Sequence, residues 1–338
     1  MIPLRSAEQS QLSPVERRPF GKTGLQVSAL GFGGANIGFT DISDKILDRI
    51  FGTALELGVN LIDTAAVYGD SEEKIGRALR GNRKSFLLCT KCGRFLPPKG
   101  TPLGFLVRVQ QKLRRLMGLA EEYESLDWHP RALEWSIHQS LRRLKTDYID
   151  LLLLHSCSEE TLRKAEVLDV LYRARKSGKV RFIGYSGERP AALYAIHSGQ
   201  FQAVEISINI ADQDAIDTVL PLAVKKGMGV IAKRPLANIL WKSAQRPDPF
   251  HYPHLQVYWD RLRQLPYHFL QGDRASEIGL RFTLSVPGTH SAIAGTTSPE
   301  HLLENAKYAA QGPLSTAQFD AIRSTWSSIS KPSWIGQI

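Results

Sequence analysis

Four residues of this 338-residue chain have side chains suited to moving a proton to or from an oxygen: Asp63, Tyr68, Lys91 and His155. Asp63 and Tyr68 share one stretch, Asn60-Leu61-Ile62-Asp63-Thr64-Ala65-Ala66-Val67-Tyr68-Gly69. It reads as a short buried strand ending in a carboxylate, then a small-residue loop that carries a phenol. An unpaired carboxylate within a buried strand is costly, so Asp63 belongs at the strand's end. Lys91 closes the apolar run that starts at Phe86, and His155 follows Asp150-Leu151-Leu152-Leu153-Leu154. Each has an ordinary explanation alone: a turn cap, a packed ring, a solvated amine, a hydrogen-bonded structural imidazole. Those explanations account poorly for all four falling at or just beyond strand ends. A free phenol has a pKa of roughly 10, too weak an acid near neutrality. A cation beside Tyr68 is expected to lower that value, a carboxylate to hold the cation, and an imidazole to orient a carbonyl or relay a proton. None of the four is a good nucleophile, and together they form no metal-ligand cluster. Hydride transfer from a bound cofactor is therefore the expected partner reaction, with no metal.

Placing such groups on one rim calls for parallel strands. Strand-like segments fall at 29–32, 59–63, 86–91, 149–155, 180–186, 203–207, 228–233 and 292–294. Helical patterns lie between them, near 45–57, 72–79, 130–144, 161–177, 190–197, 216–226, 275–284 and 299–309. Gly58, Gly178 and Gly227 supply the glycine stop before the next strand. Strands regularly followed by helices predict an α/β protein of the (β/α)8 TIM-barrel type, whose reactive groups gather at the C-terminal ends of the strands. A doubly wound open sheet would need a glycine-rich phosphate turn opening its first helix. Gly31-Phe32-Gly33-Gly34 lacks that spacing, and no short helix is expected directly after it. Two connections exceed ordinary length, 93–127 after the third strand and 237–274 after the seventh. They are expected to be long loops forming lids or substrate walls. Residues 1–17 read as a flexible N-terminal segment and 18–338 as one barrel domain.

Composition narrows the classes. The apolar share of 43% is ordinary for a globular protein, and no run nears the ~18 apolar residues of a membrane span. No apolar core precedes a cleavage site near the start, so no secretory signal is expected. Cys89, Cys92 and Cys157 are odd in number, which suits a reducing cytoplasm better than a disulfide framework. Cys89-Thr90-Lys91-Cys92 has no second pair to complete a metal or redox site, and packing is expected. The formal net charge of +10 raises the question of an anionic partner. Part of it is local: Arg94, Lys99, Arg108, Lys112, Arg114 and Arg115 lie in the first insertion. Apolar residues there recur at near-helical spacing, so an amphipathic lid helix is expected. Nothing resembles a nucleic-acid module, and neither nucleic acid nor membrane is an expected partner.

From Arg18 to Ala310 the chain resembles the aldo-keto reductase superfamily. The resemblance rests on Phe20-Gly21-Lys22-Thr23-Gly24-Leu25, Val27-Ser28-Ala29-Leu30-Gly31, Leu61-Ile62-Asp63-Thr64-Ala65 with Tyr68-Gly69, and Thr90-Lys91. It continues through Ser140-Leu141-Arg142-Arg143-Leu144, Asp147-Tyr148-Ile149-Asp150-Leu151, Leu154-His155, and Gly178-Lys179-Val180-Arg181 with Ile183-Gly184-Tyr185-Ser186. Lys91-Cys92-Gly93-Arg94-Phe95 and Arg181-Phe182-Ile183-Gly184 look closest to the branch containing L-galactose dehydrogenase and related sugar dehydrogenases.

The resemblance implies a barrel binding an extended nicotinamide dinucleotide, NADP with NAD as the alternative. It makes Tyr68 the general acid/base, supported by Lys91, Asp63 and His155. The implied substrate is an aldehyde, ketone, sugar hemiacetal or alcohol. The implied cofactor contacts are Gly33, Gly34, Ser186, Gly187, Glu205, Lys233, Arg234, Pro235, Leu236, Gly295, Thr296, Thr297, His301, Glu304 and Asn305. Several depart from the family pattern. Gly187 and Glu205 stand where many members use Asn and Gln to hold the carboxamide, and Lys233-Arg234-Pro235-Leu236 replaces an aromatic residue before a Ser-Pro-Leu turn. NADP-preferring relatives place Lys and Arg where this chain has Gly295 and His301, so a weak coenzyme preference is expected. Some relatives are channel-associated subunits, which makes a cofactor-binding regulatory module with little turnover the alternative.

Overall fold

The computed structural model describes residues 13–95, 125–248 and 253–337. Its strands, in chain order, are β1 (Arg17–Pro19), β2 (Gln26–Ser28), β3 (Leu30–Gly33), β4 (Leu61–Asp63), β5 (Leu87–Cys92), β6 (Arg94–Phe95), β7 (Ser125–Leu126), β8 (Ile149–His155), β9 (Val180–Ser186), β10 (Ala203–Ser207), β11 (Gly229–Lys233) and β12 (Ser291–Gly295). Strands β3, β4, β5 and β8 to β12 pair in parallel, and β12 returns to β3 to close the barrel. All eight expected strands are present, with ends shifted by a residue or two. The chain folds as a (β/α)8 TIM barrel.

Alternation along the strands separates two apolar layers, as the pleat requires. On β8, Leu151 and Leu153 join the interior cluster, while Leu152 and Leu154 pack outward beneath the helices. The hairpin of β1 and β2 closes the N-terminal end: Phe20, Leu25 and Val27 share the interior cluster with Leu61, Ile231 and Ile293. Reactive groups are left to the opposite end. Val15 is buried and its N–H donates to the Leu57 carbonyl at 2.8 Å. Residues 1–12 of the segment expected to be flexible lie outside the described residues.

Several connections differ from expectation. A five-residue helix, Ala35–Phe39, does follow Gly34 directly; it is too short to register as a period. Gly38 allows it to lie on the Tyr68 loop, because a Cβ there would fall 1.9 Å from the Tyr68 carbonyl oxygen. Lys74 Nζ caps it through the Ile37 and Thr40 carbonyls, each at 2.8 Å. The expected helix at 216–226 is two, Asp214–Thr218 and Leu220–Lys226; Pro221 near the start of the second cannot donate a backbone bond into the first. The connection after β11 is not an open loop. It holds a 3-10 turn at Ala237–Lys242, a helix at Pro253–Gln264 and a second 3-10 turn at His268–Gln271. Tyr258 and Leu262, four apart, are buried there. A C-terminal helix, Thr316–Ile329, was not expected; Ser315 caps it and Ile322 and Trp326 are buried. The expected lid helix and most of its basic residues fall outside the described residues, although β6 pairs with β7 across the base of that insertion. Among the described residues no helix is long and apolar enough to cross a membrane.

Candidate active site

Six strands deliver polar side chains to one mouth. Asp63 ends β4, Lys91 sits one residue from the end of β5, and His155, Ser186 and Lys233 end β8, β9 and β11. Glu205 is the middle residue of β10. Lys91 Nζ donates to both Asp63 oxygens, at 2.5 and 2.6 Å, and to the Thr64 carbonyl at 3.1 Å. Glu205 Oε2 lies 3.4 Å from the same nitrogen. The Tyr68 ring centroid is 5.3 Å from Nζ and 5.8 Å from the His155 ring, which it meets edge-on at 86°. The four expected proton-transfer residues are therefore neighbours. Tyr68 is held by a turn in which its N–H donates to the Ala65 carbonyl and its own carbonyl accepts from Ser71 N, both at 3.0 Å.

Burial dominates the electrostatics. It pushes the Asp63 carboxyl up to about 8; Glu205 adds to the rise and Lys91 opposes it. For Glu205 burial also acts upward, but Lys91, Lys233 and the Ser186 hydroxyl outweigh it and hold the carboxyl low. Burial pulls Lys91 down, yet the two carboxylates prevail and keep it well above its ordinary value. Tyr68 corrects a simple expectation. Burial pushes the phenol up to about 12, and Lys91 offsets only part of that rise because Asp63 and Glu205 act against it. Burial, followed by Lys91, Arg94, Lys233 and Arg234, holds the His155 imidazole well below its usual range. The ring is thus neutral, and its Nδ1 has no hydrogen-bond partner.

The expected cofactor residues divide into two groups. At the mouth, Ser186 Oγ donates to Glu205 Oε1 at 2.8 Å, and Gly187 N donates to the Glu205 carbonyl at 3.1 Å. Lys233 Nζ pairs with Glu188 Oε1 at 3.1 Å, and Arg234 Nη1 donates to the Gln337 carbonyl at 2.6 Å. Pro235 accepts from Thr283 Oγ1 at 3.3 Å, and Leu236 packs against the core. Gly34 N donates to the Asp63 carbonyl at 2.7 Å. At the second group, Gly33 and Gly295 are register partners on β3 and β12. Ser298 caps the helix Pro299–Ala310 by accepting from His301 N at 3.3 Å. The hydroxyl of Thr296, one of the implied cofactor contacts, accepts from Ser298 N at 3.0 Å. Thr297 is half-buried, His301 and Glu304 are exposed, and Asn305 is buried. Glu304 accepts the Tyr308 hydroxyl at 2.7 Å.

These residues fit a dinucleotide on three observations. Gly295 is exposed, and a Cβ there would press on the Gly33 carbonyl at 3.0 Å, so the ends of β12 and β3 stay low. Glu205 Oε2 is a buried oxygen that accepts no hydrogen bond and suits an amide N–H. Arg234, Ala237, Asn238 and Ile239 all have left-handed φ, between +44° and +57°. Such strain in non-glycine residues, Ile above all, concentrates at ligand sites.

Residues overlooked in the sequence lie beside this set. Glu188 pairs with Lys233, and Asp212 accepts from Tyr258 Oη at 2.9 Å and from Gln337 N at 3.2 Å. An acid two residues past a strand end, as Glu188 is, could have been noticed. The Gln337 contributions are backbone groups, which leave no mark in a sequence.

The sequence pattern of the Aldo/keto reductase family matches residues 29–327. L-galactose dehydrogenase of Arabidopsis thaliana is 26% identical over 309 residues, covering 87% of this chain and 88% of that protein. The NADH-specific methylglyoxal reductase of Escherichia coli is 30% identical over 314 residues, covering 86% and 92%. The holo form of an aldo-keto reductase from Bacillus halodurans superposes with a TM-score of 0.74 at 24% identity, over 95% of this chain and 99% of that one. The chain belongs to the Aldo/keto reductase family, and by class it is a nicotinamide-dependent oxidoreductase.

Proposed function

We propose that this protein moves hydride between NADP(H) or NAD(H) and the carbonyl or carbinol carbon of an aldehyde, ketone or sugar hemiacetal, with Tyr68 as general acid in reduction and general base in oxidation. The observation that carries this reading is the Lys91 ammonium, fixed on Asp63 and 5.3 Å from the Tyr68 ring, with His155 edge-on to the same ring. When bound, the nicotinamide supplies or accepts the hydride. The chain's own groups handle the proton. Tyr68 gives its phenolic proton to the substrate oxygen, Lys91 offsets the charge left behind, and Asp63 keeps Lys91 in place. Neutral His155 orients the substrate oxygen through a ring nitrogen.

Ser186, Gly187, Glu205 and the run Lys233 to Leu236 would hold the nicotinamide end. Gly33, Gly34, Gly295, Thr296, Thr297, His301, Glu304 and Asn305 would shape and contact the path to the adenosine end. The named activities of the two relatives, one on a sugar and one on a small dicarbonyl, support the substrate class. A spectrophotometric scan tests the reading: NADPH and NADH oxidation with aldehydes and ketones, NADP and NAD reduction with aldoses. Turnover with at least one pairing is expected. Tight coenzyme binding without turnover for any pairing would instead indicate the regulatory alternative.

A further inference from the structure

Two buried carboxyls face the one ammonium beside Tyr68. Asp63 takes two hydrogen bonds from Lys91, and Glu205 Oε2 stands 3.4 Å from it; none of the three side chains is more than 3% exposed. One oxygen of each carboxyl and the Cys89 sulfur lie within 4.8 Å of one another. With both carboxyls ionised, the set carries a net negative charge in a space closed to water, against the phenol. With one proton retained it is neutral. A glutamine at 205 would reach neutrality with no proton at all.

We propose that Glu205 is a positioning residue that holds Tyr68 in its phenol form, by setting a second negative charge on Lys91, and so fixes the pH windows in which reduction and oxidation run. This rests on the reading of Tyr68 as the acid/base. In reduction the substrate carbon takes hydride, the carbonyl oxygen takes the Tyr68 proton, and the phenolate left behind recovers a proton from solvent. Oxidation is the reverse and needs the phenolate first. A group that disfavours the phenolate extends reduction to high pH and delays oxidation to still higher pH, with the overall equilibrium unchanged.

The surrounding groups agree. Asp63 faces Glu205 from β4, Lys91 and Cys89 from β5, Ser186 from β9 and Lys233 from β11. Cys89 is a neutral thiol, since burial pushes it well up. Lys233 shares its charge with Glu188 at 3.1 Å. His155 on β8 is neutral, with Arg94 beyond it. Of the charges acting on Tyr68, Lys91 is the strongest, then Asp63 and Glu205, and Arg234 the weakest of the four.

The test is an ultraviolet difference titration of tyrosine ionisation in the coenzyme-free protein, comparing wild type, Tyr68→Phe, Glu205→Gln and the double variant. Circular dichroism marks the alkaline limit of the fold. Subtracting each Tyr68→Phe curve isolates Tyr68. Glu205→Gln should lower its midpoint by about one pH unit, a tenfold rise in phenolate at fixed pH, and the alkaline limb of oxidation should move down with it. An unchanged midpoint, or a kcat loss equal at every pH, would overturn the proposal. Should Glu205→Gln fail to fold, Glu205→Asp, one methylene shorter and so drawn back from Lys91, decides against the same Tyr68→Phe control: a lower Tyr68 midpoint upholds the proposal and an unchanged one overturns it. The titration reads Tyr68 without substrate, so near-normal turnover by Tyr68→Phe would refute the catalytic reading separately.

Discussion

At the barrel mouth, Lys91 is hydrogen-bonded to Asp63 and ion-paired with Glu205, all three shut from water; at the ends of β12 and the helix Pro299–Ala310, Gly295, His301 and Glu304 stand in solvent. Both regions contain ion pairs, with different meanings. The Lys91–Asp63 pair is almost fully buried, so each partner is indispensable to the other. The Arg49–Glu300 pair, at 2.6 Å, leaves its side chains 56% and 65% exposed, and water could replace either. Buried polar groups demand named partners, whereas exposed ones tolerate many. The first region is accordingly where residue identity specifies chemistry, and the second is where coenzyme choice can drift.

The largest test of that contrast is Tyr68→Phe, which keeps the ring against Lys91 and His155 and removes only the hydroxyl. General acid–base catalysis contributes ~10²–10⁴-fold, so kcat should drop by about that factor while coenzyme Kd, read by fluorescence titration, holds. Near-normal kcat would remove Tyr68 from the mechanism.

The next test compares the two ion pairs. Lys91→Met leaves Asp63 and Glu205 buried without their cation, and breaking such a pair costs about 3–5 kcal/mol. Arg49→Ala should cost less than about 1 kcal/mol. Urea unfolding of both variants checks this, and equal losses would abolish the distinction.

A pH series sharpens it further. Asp63 binds its proton to about 8 in the folded protein, against an ordinary 3.8. Above ~4 the unfolded chain has released a proton that the folded one keeps. This group's contribution is therefore fully present below ~4 and is lost as pH rises through about 8. Glu205, shifted downward, acts only at the acid end. Above about pH 7, where His155 is neutral in the folded and unfolded chain alike, the melting temperature should fall towards pH 8.5, and Glu205→Gln should flatten that fall by removing the second carboxylate. A slope identical in both proteins would show that Asp63 keeps no such proton.

The same contrast explains what was legible in the sequence. Asp63, Lys91 and His155 could be picked out because a polar group after an apolar run has few places to go. The eight strands were legible because each is a short apolar run, three of them preceded by the glycine stops Gly58, Gly178 and Gly227. The helix Ala35–Phe39 was too short for a period, and Pro253–Gln264 was masked by a Pro- and His-rich setting despite Tyr258 and Leu262. Tyr68 is a weaker acid than the sequence implies first because the phenol is buried, and then because Glu205 joins Asp63 beside Lys91, neither of which a sequence displays. At the adenosine end the residues were placed by resemblance alone, and the structure then turned Thr296 onto Ser298 and Glu304 onto Tyr308.

The smallest expected effect lies at that end. A 2′-phosphate needs a cation or several donors, and Gly295 supplies neither charge nor side chain. Thr296 is engaged with Ser298, and Arg49 is held by Glu300. Glu300 is also held low, to about 2, first by the Ser298 hydroxyl, and so presents a full negative charge at the helix start. That leaves the half-buried Thr297 and the exposed His301, together with helix-terminal N–H groups that favour any anion. Loss of one charge-assisted bond removes roughly 1.5–3 kcal/mol. We expect the protein to prefer NADP(H) over NAD(H) by less than ~100-fold on that account. His301→Arg should raise the ratio about tenfold, since a single charged hydrogen bond is worth at least that. Kd values for both coenzymes, in wild type and variant, measure it directly. A wild-type preference of several thousandfold, or an arginine that changes nothing, would mean that the phosphate is held by residues other than these.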